Sequence, residues 1–395
     1  MEKLKAWVFL MWRPIVAFLA IGLVIGVIFG FRLGSLPPGT SRPEQAYLGS
    51  VASGRQLLDN PLYGLHKVPV YALFKLHAHS IAVYRAVSVL FASLAAVSCF
   101  FILREWYSDR VAILGTWLFL TSAWILHIGR LALPDVIYLS ILPFLWAAIW
   151  LYNTTLRKTA LAVLSCMVAI CFYTPGFCFL VIMVAVWQHS LVWKELKQVP
   201  VWFRLVCALI ILVLLIPLVR VGIKAPRELL AVGGLPAHVP HLTAILKNFW
   251  NIPAYLFLKG PSDPVRWLGR LPLLDIFSIA MLALGLYSTR YHLKLVRIKL
   301  LAGSTLLLVV LITLGGPVSI TALLPVIYIF IAGGIAFMLQ QWFSVFPYNP
   351  IARGIATTLM SITVLLVSYY HINHYFIAWP QTPATRASFR QSLIK

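Results

Sequence analysis

The sequence predicts an all-α, polytopic helical bundle in a membrane, and three observations carry that prediction. The chain of 395 residues is 61% hydrophobic and only 11% charged, whereas a soluble globular domain carries roughly 25% charged residues. Its mean hydropathy is +0.92. Its basic residues cluster just beyond the ends of apolar runs, which is where a membrane protein meets lipid head groups. A soluble chain with so few charges could not cover its apolar surface, so lipid serves as solvent for much of it.

The spans follow in order. A short basic start (Lys3, Lys5, Arg13) precedes an apolar run over 14–31. That run is long enough to cross, and no small-residue cleavage site follows it, so an uncleaved first helix with its N-terminus inside is expected. Further runs at 81–103, 111–128, 134–152, 159–173, 177–192, 205–221, 272–289, 299–314, 318–339 and 352–374 bring the expected total to about eleven. One bundle occupies 1–395. A first outside loop at 35–80 and a second at 222–271, the latter a partly helical flap, carry short interfacial helices.

Charge orients this map. The short loops placed inside hold Arg104, Arg110, Arg157, Lys158, Lys194, Lys197, Arg204, Arg290, Lys294, Arg297 and Lys299, while those placed outside hold Arg130 alone. The positive-inside rule requires that asymmetry, and long loops cross largely regardless of charge. The net charge of +22 is therefore a membrane feature. It forms no stripe for nucleic acid. The five cysteines lie within apolar segments and read as small core residues.

Acidic residues are few, so each is informative. Asp135 ends Gly129-Arg-Leu-Ala-Leu-Pro-Asp135, at the junction of two spans. A carboxylate at membrane depth is costly unless paired or facing water. Asp135 is therefore a functional candidate, or it pairs structurally with Arg130. Glu44 follows Pro37-Pro-Gly-Thr-Ser-Arg-Pro43, with Pro43 suited to the start of a short helix. Glu44 either complements that helix's dipole or does chemistry. In His66-Lys67-Val-Pro69-Val-Tyr71, Lys67 is placed to hold a phosphate or to snorkel. His66, His77, His79, His238 and His241 fall outside, yet they assemble no complete ligand set, so a divalent metal is unsupported and no cofactor is implied.

Taken in order, these fragments carry a resemblance. The acid on the first-loop helix, Lys67-Val-Pro69-Val-Tyr71, Tyr84-Arg85-Ala-Val-Ser and Ser122-Ala-Trp-Ile-Leu-His-Ile-Gly-Arg130-Leu-Ala-Leu-Pro-Asp135 together resemble the type C glycosyltransferases related to protein O-mannosyltransferases and lipid A aminoarabinose transferases. The match is clearest over 35–150. It returns in Leu323-Leu-Pro325 and in His374-Tyr-Phe-Ile-Ala-Trp379-Pro.

The resemblance implies transfer of a sugar from a polyprenyl- or dolichyl-phosphate carrier to a hydroxyl of a protein or glycolipid, outside the cytoplasm and in the cell membrane. By position, Glu44 becomes the base or acceptor-orienting acid and Lys67 the phosphate contact. Arg130 and Asp135 belong to the same cavity, with Arg85, Tyr71 and His66 in support. The family pattern commonly reads Asp-Glu where this chain has Pro43-Glu44. A non-catalytic glycolipid-binding module of the same fold, or a lipid transporter, is the alternative.

The map has a direct test. Single cysteines placed in 35–80, in 222–271 and beyond 375 should react with a membrane-impermeant maleimide from outside intact cells. Labelling of the tail from the cytoplasmic side would mean that a span has been miscounted.

Overall fold

The computed structural model describes residues 22–54, 57, 60–77 and 80–390. The start of the first expected span (14–21), the terminal basic residues, Asp59 and His79 lie outside them. Among the described residues the fold is helical throughout, without strands.

Helix α1 (22–30) leads into a turn and then α2 (Arg42–Val51) and α3 (Gly64–Lys75), the two short helices of the first loop. Helix α4 (Ile81–Trp106) follows. At 1.5 Å per residue its 26 residues extend about 39 Å, more than the hydrocarbon thickness of about 30 Å. Next come α5 (Asp109–Thr121), α6 (Ala123–Arg130), a 3₁₀ turn (Pro134–Ser140) running into α7 (Ile141–Asn153), α8 (Arg157–Cys171), α9 (Phe177–Trp187), α10 (His189–Lys197) and α11 (Val201–Lys224). The second long loop holds α12 (Pro226–Val232) and α13 (Leu242–Pro253), as a partly helical flap would. Helices α14 (Ile276–Thr289), α15 (Val296–Thr313), α16 (Leu324–Val345) and α17 (Pro350–Asn373) complete the bundle, and the tail continues through short turns to residue 390.

Each expected span after the first coincides with helical structure, though two of them are bent at a break, and the count of eleven is not confirmed. Six helices are long and apolar enough to cross, or up to eight if each of two bent pairs counts as one span. Helices α8 and α14, of 15 and 14 residues, fall short of the about 17 a span needs. The expected span over 111–128 is broken. Helices α5 and α6 meet at 60°, because Ser122 takes an extended ψ of 130° that ends the helical ladder.

Burial separates the centre from the rim. The best window of Ile320–Val345 is 83% buried, against 17% for Val201–Lys224. Helix α16 is thus the central post, and α11 presents Leu209, Leu212, Val213, Ile216 and Val219 outward. No hydrophobic drive separates such a face from lipid, so the contacts of α16 depend on close packing. Gly285 of α14 and Gly334 of α16 supply it: a Cβ on either would collide with a backbone carbonyl of the other helix, of Phe330 and of Met281 respectively.

The first loop, the second loop and the tail meet at one end of this bundle. The Phe389 ring lies 6.0 Å from the Arg85 guanidinium, and the Trp379 indole donates to Pro264 O at 2.9 Å.

Candidate functional site

The first loop is organised by Glu44. Ser41 caps α2 and Glu44 stands at its third position, forming a capping box in which each satisfies a backbone N–H of the other. The Glu44 carboxylate also receives a two-pronged guanidinium: Arg85 Nε donates to Oε1 at 3.0 Å and Nη2 to Oε2 at 3.1 Å. Ala132 N donates to Oε1 at 3.0 Å, and Ser41 N and Oγ donate to Oε2 at 3.1 and 3.2 Å. Arg85 uses its remaining donors on Leu33 O, Pro37 O and Gly39 O. Both side chains are wholly buried. A carboxylate accepting five hydrogen bonds has no free lone pair for a substrate proton, so this geometry gives Glu44 an anchoring role.

The other sequence candidates divide similarly. Arg130 does not pair with Asp135. Its guanidinium donates to Ile28 O at 2.7 Å and to Phe31 O, at the C-terminal end of α1, and lies 5.2 and 4.7 Å from the Tyr375 and Phe376 ring centres. The five-residue spacing suggested a pair, but Leu131 is extended (ψ 147°) and Pro134 starts a new turn, which turns the two side chains apart. Fully buried against carbonyls and rings, Arg130 ties the first helix to the tail, and its Nε is left without a partner.

His66 bridges two hydroxyls, with Nδ1 at 2.7 Å from Tyr47 Oη and Nε2 at 2.9 Å from Ser88 Oγ. Ser88 gives its own proton to Leu131 O at 2.6 Å, so Nε2 carries the hydrogen and Nδ1 accepts from Tyr47. Burial pushes this imidazole down to about 3, which keeps it neutral. Tyr71 carries the Lys75 ammonium over its ring at 5.7 Å.

Lys67 is 5% exposed, and its Nζ donates to Asn60 O at 2.9 Å and Oδ1 at 3.3 Å. Burial pushes its ammonium down to about 8, partly offset by the negative charge of Glu228. Helix α3 is tied to the Asp135 segment. Tyr63, just before α3, and Tyr138, three residues after Asp135, both donate to Pro317 O, at 3.4 and 2.9 Å.

Of the sequence candidates, Asp135 alone lines the cavity of about 180 Å³ at this end of the bundle. Its partner is Arg266, with Nη2 to Oδ2 at 3.2 Å, and Arg266 also reaches Asp263 at 3.7 Å. The walls are Trp124, His127, Tyr255, Trp267 and the 319–321 segment. Sequence reasoning missed Arg266, Trp267, Tyr255 and His127. Only Asp263-Pro-Val-Arg-Trp267, a cluster of opposite charges and a ring in an outside loop, offered a signal for two of these positions.

No protein-family model matches the chain, and no curated protein matches it. Among solved structures, ArnT from Cupriavidus metallidurans in the apo state has the same fold, with a TM-score of 0.53, 13% identity, and coverage of 95% of this chain and 77% of that one. The same protein bound to undecaprenyl phosphate gives a TM-score of 0.51, 12% identity, and coverage of 95% and 76%. ArnT is a lipid A aminoarabinose transferase of the type C glycosyltransferase fold. The present chain is accordingly a multi-pass, all-helical membrane protein with a type C glycosyltransferase-like fold.

The anchoring role of Glu44 is measurable. Removing one partner of a buried ion pair typically costs about 3–5 kcal/mol. Glu44→Ala and Arg85→Ala should each lower the thermal unfolding midpoint of the detergent-purified protein markedly, and the double variant should lose less than the sum. A Glu44→Ala protein with an unchanged midpoint and no activity would return Glu44 to the chemical step.

Proposed function

We propose that this protein transfers a sugar from a polyprenyl- or dolichyl-phosphate carrier to an acceptor hydroxyl, at the membrane face where its two long loops meet. The carrying observation is the fold it shares with ArnT, combined with a cavity at the loop end that is lined by a partly exposed carboxylate. ArnT has been captured with undecaprenyl phosphate. The charge of the short loops supports the non-cytoplasmic face.

In this reading Asp135, not Glu44, is the general base. It has one guanidinium partner at 3.2 Å, whereas the Glu44 oxygens are saturated. The acceptor hydroxyl attacks the anomeric carbon while Asp135 takes its proton. The carbon–oxygen bond to the phosphate breaks, and the lipid phosphate leaves with its charge met by Lys67. A polar partner shell at Lys67, held by Asn60 and near Glu228, suits a cation that exchanges a carbonyl for a phosphate oxygen.

A second reading, binding of a lipid-linked sugar without transfer, is favoured by Pro43 standing beside a carboxylate fully used in structure. Product formation separates the two. Asp135→Asn should reduce transfer by about 10²–10⁴-fold, the usual contribution of a general base, with little change in donor affinity. Transfer at the parental rate by Asp135→Asn would sink the assignment, and a parent that binds donor but forms no product would leave the binding reading.

Lys67 gives a pH dependence with a definite sign. Its ammonium is held at about 8 rather than 10.5, so the empty site disfavours the charged form. That deficit is present below about 8 and vanishes as pH rises past the unfolded value. A bound phosphate reverses the preference. Donor affinity should therefore be level below about pH 8 and fall by up to about tenfold per unit above it. Affinities for undecaprenyl phosphate from about pH 7 to about pH 10 check this, and Lys67→Arg should abolish the fall. A decline that persists in Lys67→Arg would assign it to another group.

A further inference from the structure

The bend at Ser122 sends α6 across the loop end of the bundle, so that Trp124, His127 and Ile128 share the face that lines the cavity. His127 is 1% exposed, yet neither of its ring nitrogens has a hydrogen-bond partner. Rings surround it: Trp379 at 4.4 Å, Tyr375 at 4.9 Å and Trp267 at 5.1 Å between centres. The two indole N–H groups are already used, on Pro264 O and Leu271 O. A neutral imidazole carries one donor and one acceptor, and native proteins rarely bury both unmet. Two more buried polar atoms beside it, His374 Nε2 and Tyr375 Oη, are also without a partner, so a polar ligand seated here meets several unmet groups.

We propose that His127 is a sugar-binding residue and that the cavity it lines is the subsite for a single monosaccharide ring of the lipid-linked donor, an inference that rests on the transferase reading above. A sugar hydroxyl is both donor and acceptor, so it can satisfy a ring nitrogen of His127 whichever tautomer that imidazole holds. Trp124, Trp267 and Tyr255 provide flat apolar surface for the C–H face of a pyranose. Arg266 and Asp263 provide polar partners for its remaining hydroxyls, which leaves Asp135 for the acceptor. A phosphate fits poorly, because Asp135 and Asp263 share one guanidinium and leave the rim without surplus positive charge. The volume of about 180 Å³ lies below the roughly 300–1,000 Å³ of pockets for drug-sized ligands, which suits one ring and excludes an oligosaccharide.

The test compares the full chain in lipid nanodiscs with His127→Phe and His127→Gln. Phenylalanine keeps the ring packing and removes both nitrogens, while glutamine keeps one donor and one acceptor. Affinities are measured for undecaprenyl phosphate and for the same lipid carrying glucose, mannose or galactose. The parent should bind at least one sugar-bearing lipid about tenfold or more tighter than the bare lipid, corresponding to one or two good hydrogen bonds. His127→Phe should bring that ratio close to one without changing affinity for the bare lipid, and His127→Gln should restore part of it. The thermal midpoint of His127→Phe should hold or rise, since an unmet buried polar group is removed. Should the phenylalanine variant fail to fold, His127→Leu reads the same ratio. A parental ratio retained without the imidazole, or a parent that binds no hexose better than the bare lipid, overturns the subsite. Failure of the parent to bind even undecaprenyl phosphate overturns the transferase reading instead.

Discussion

The contact between Glu44 and Arg85 is the constraint on which the loop end of this molecule depends. Two opposite full charges lie there with no exposed side-chain surface. Several kcal/mol of desolvation per ion must be offset by their attraction and by hydrogen bonds to every remaining lone pair and proton. That condition is met at both partners. Arg85 reaches three carbonyls of the turn between α1 and α2, so it folds that turn onto the start of α4. Glu44 takes the amide of Ala132, so it fixes the extended segment that leads to Asp135. The position of the cavity's carboxylate thus follows from a pair that does not itself line the cavity.

Sequence alone leaves Glu44 as either a partner of its helix dipole or a chemical acid, and this arrangement favours the structural role. A saturated carboxylate is a good anchor and a poor base, because taking a proton would cost it several charge-assisted bonds at once. Asp135 is 14% exposed on its side chain and shares its single guanidinium with Asp263. That contact is shared and partly exposed, so it is freer to rearrange than the Glu44–Arg85 pair. His66 follows the same logic as Glu44: both of its nitrogens are committed to Tyr47 and Ser88, so it stiffens the junction of α2, α3 and α4.

Much of this was legible in the sequence, and the reason lies in range. The spans are long apolar runs, and the described ones became helical because hydrophobicity is a local property. The break at Ser122 was not legible, since one extended ψ within an apolar run leaves no compositional trace. The capping box was legible but went unread: Ser41-Arg-Pro-Glu44 has the spacing by which a first-turn glutamate reaches back to its cap. The alternative pairing of Asp135 with Arg130, the nearest cation in sequence, fails because the extended turn between them directs the two apart. The true partner, Arg266, lies 131 residues further along in the flap, and only folding brings the two loops together. His127 sits in a stretch that reads as ordinary span, so its unmet nitrogens become visible only once its neighbours are in place.

The same geometry bears on transport, another alternative to transfer. Broken helices near the membrane midplane are the usual mark of an alternating-access carrier, because freed backbone groups there coordinate cargo. Here the break between α5 and α6 serves a different purpose. It lays α6 across one end of the bundle, where Trp124 and His127 wall a cavity roofed by Tyr255, Asp263, Arg266 and Trp267 of the second loop. Beneath it, α16 runs unbroken over 22 residues and is the most buried of the six candidate spans. Its contact with α14 is set by glycines that bring two backbones together with no space for a side chain. Interfaces packed that closely shift between discrete arrangements rather than slide continuously, and a second arrangement of α14 on α16 would need another glycine-matched register. The one next to it, at Gly333, faces the Tyr107 hydroxyl instead. A rigid post beneath a one-sided cavity, closed by a loop rather than by a second repeat, favours chemistry at a single membrane face over passage through it.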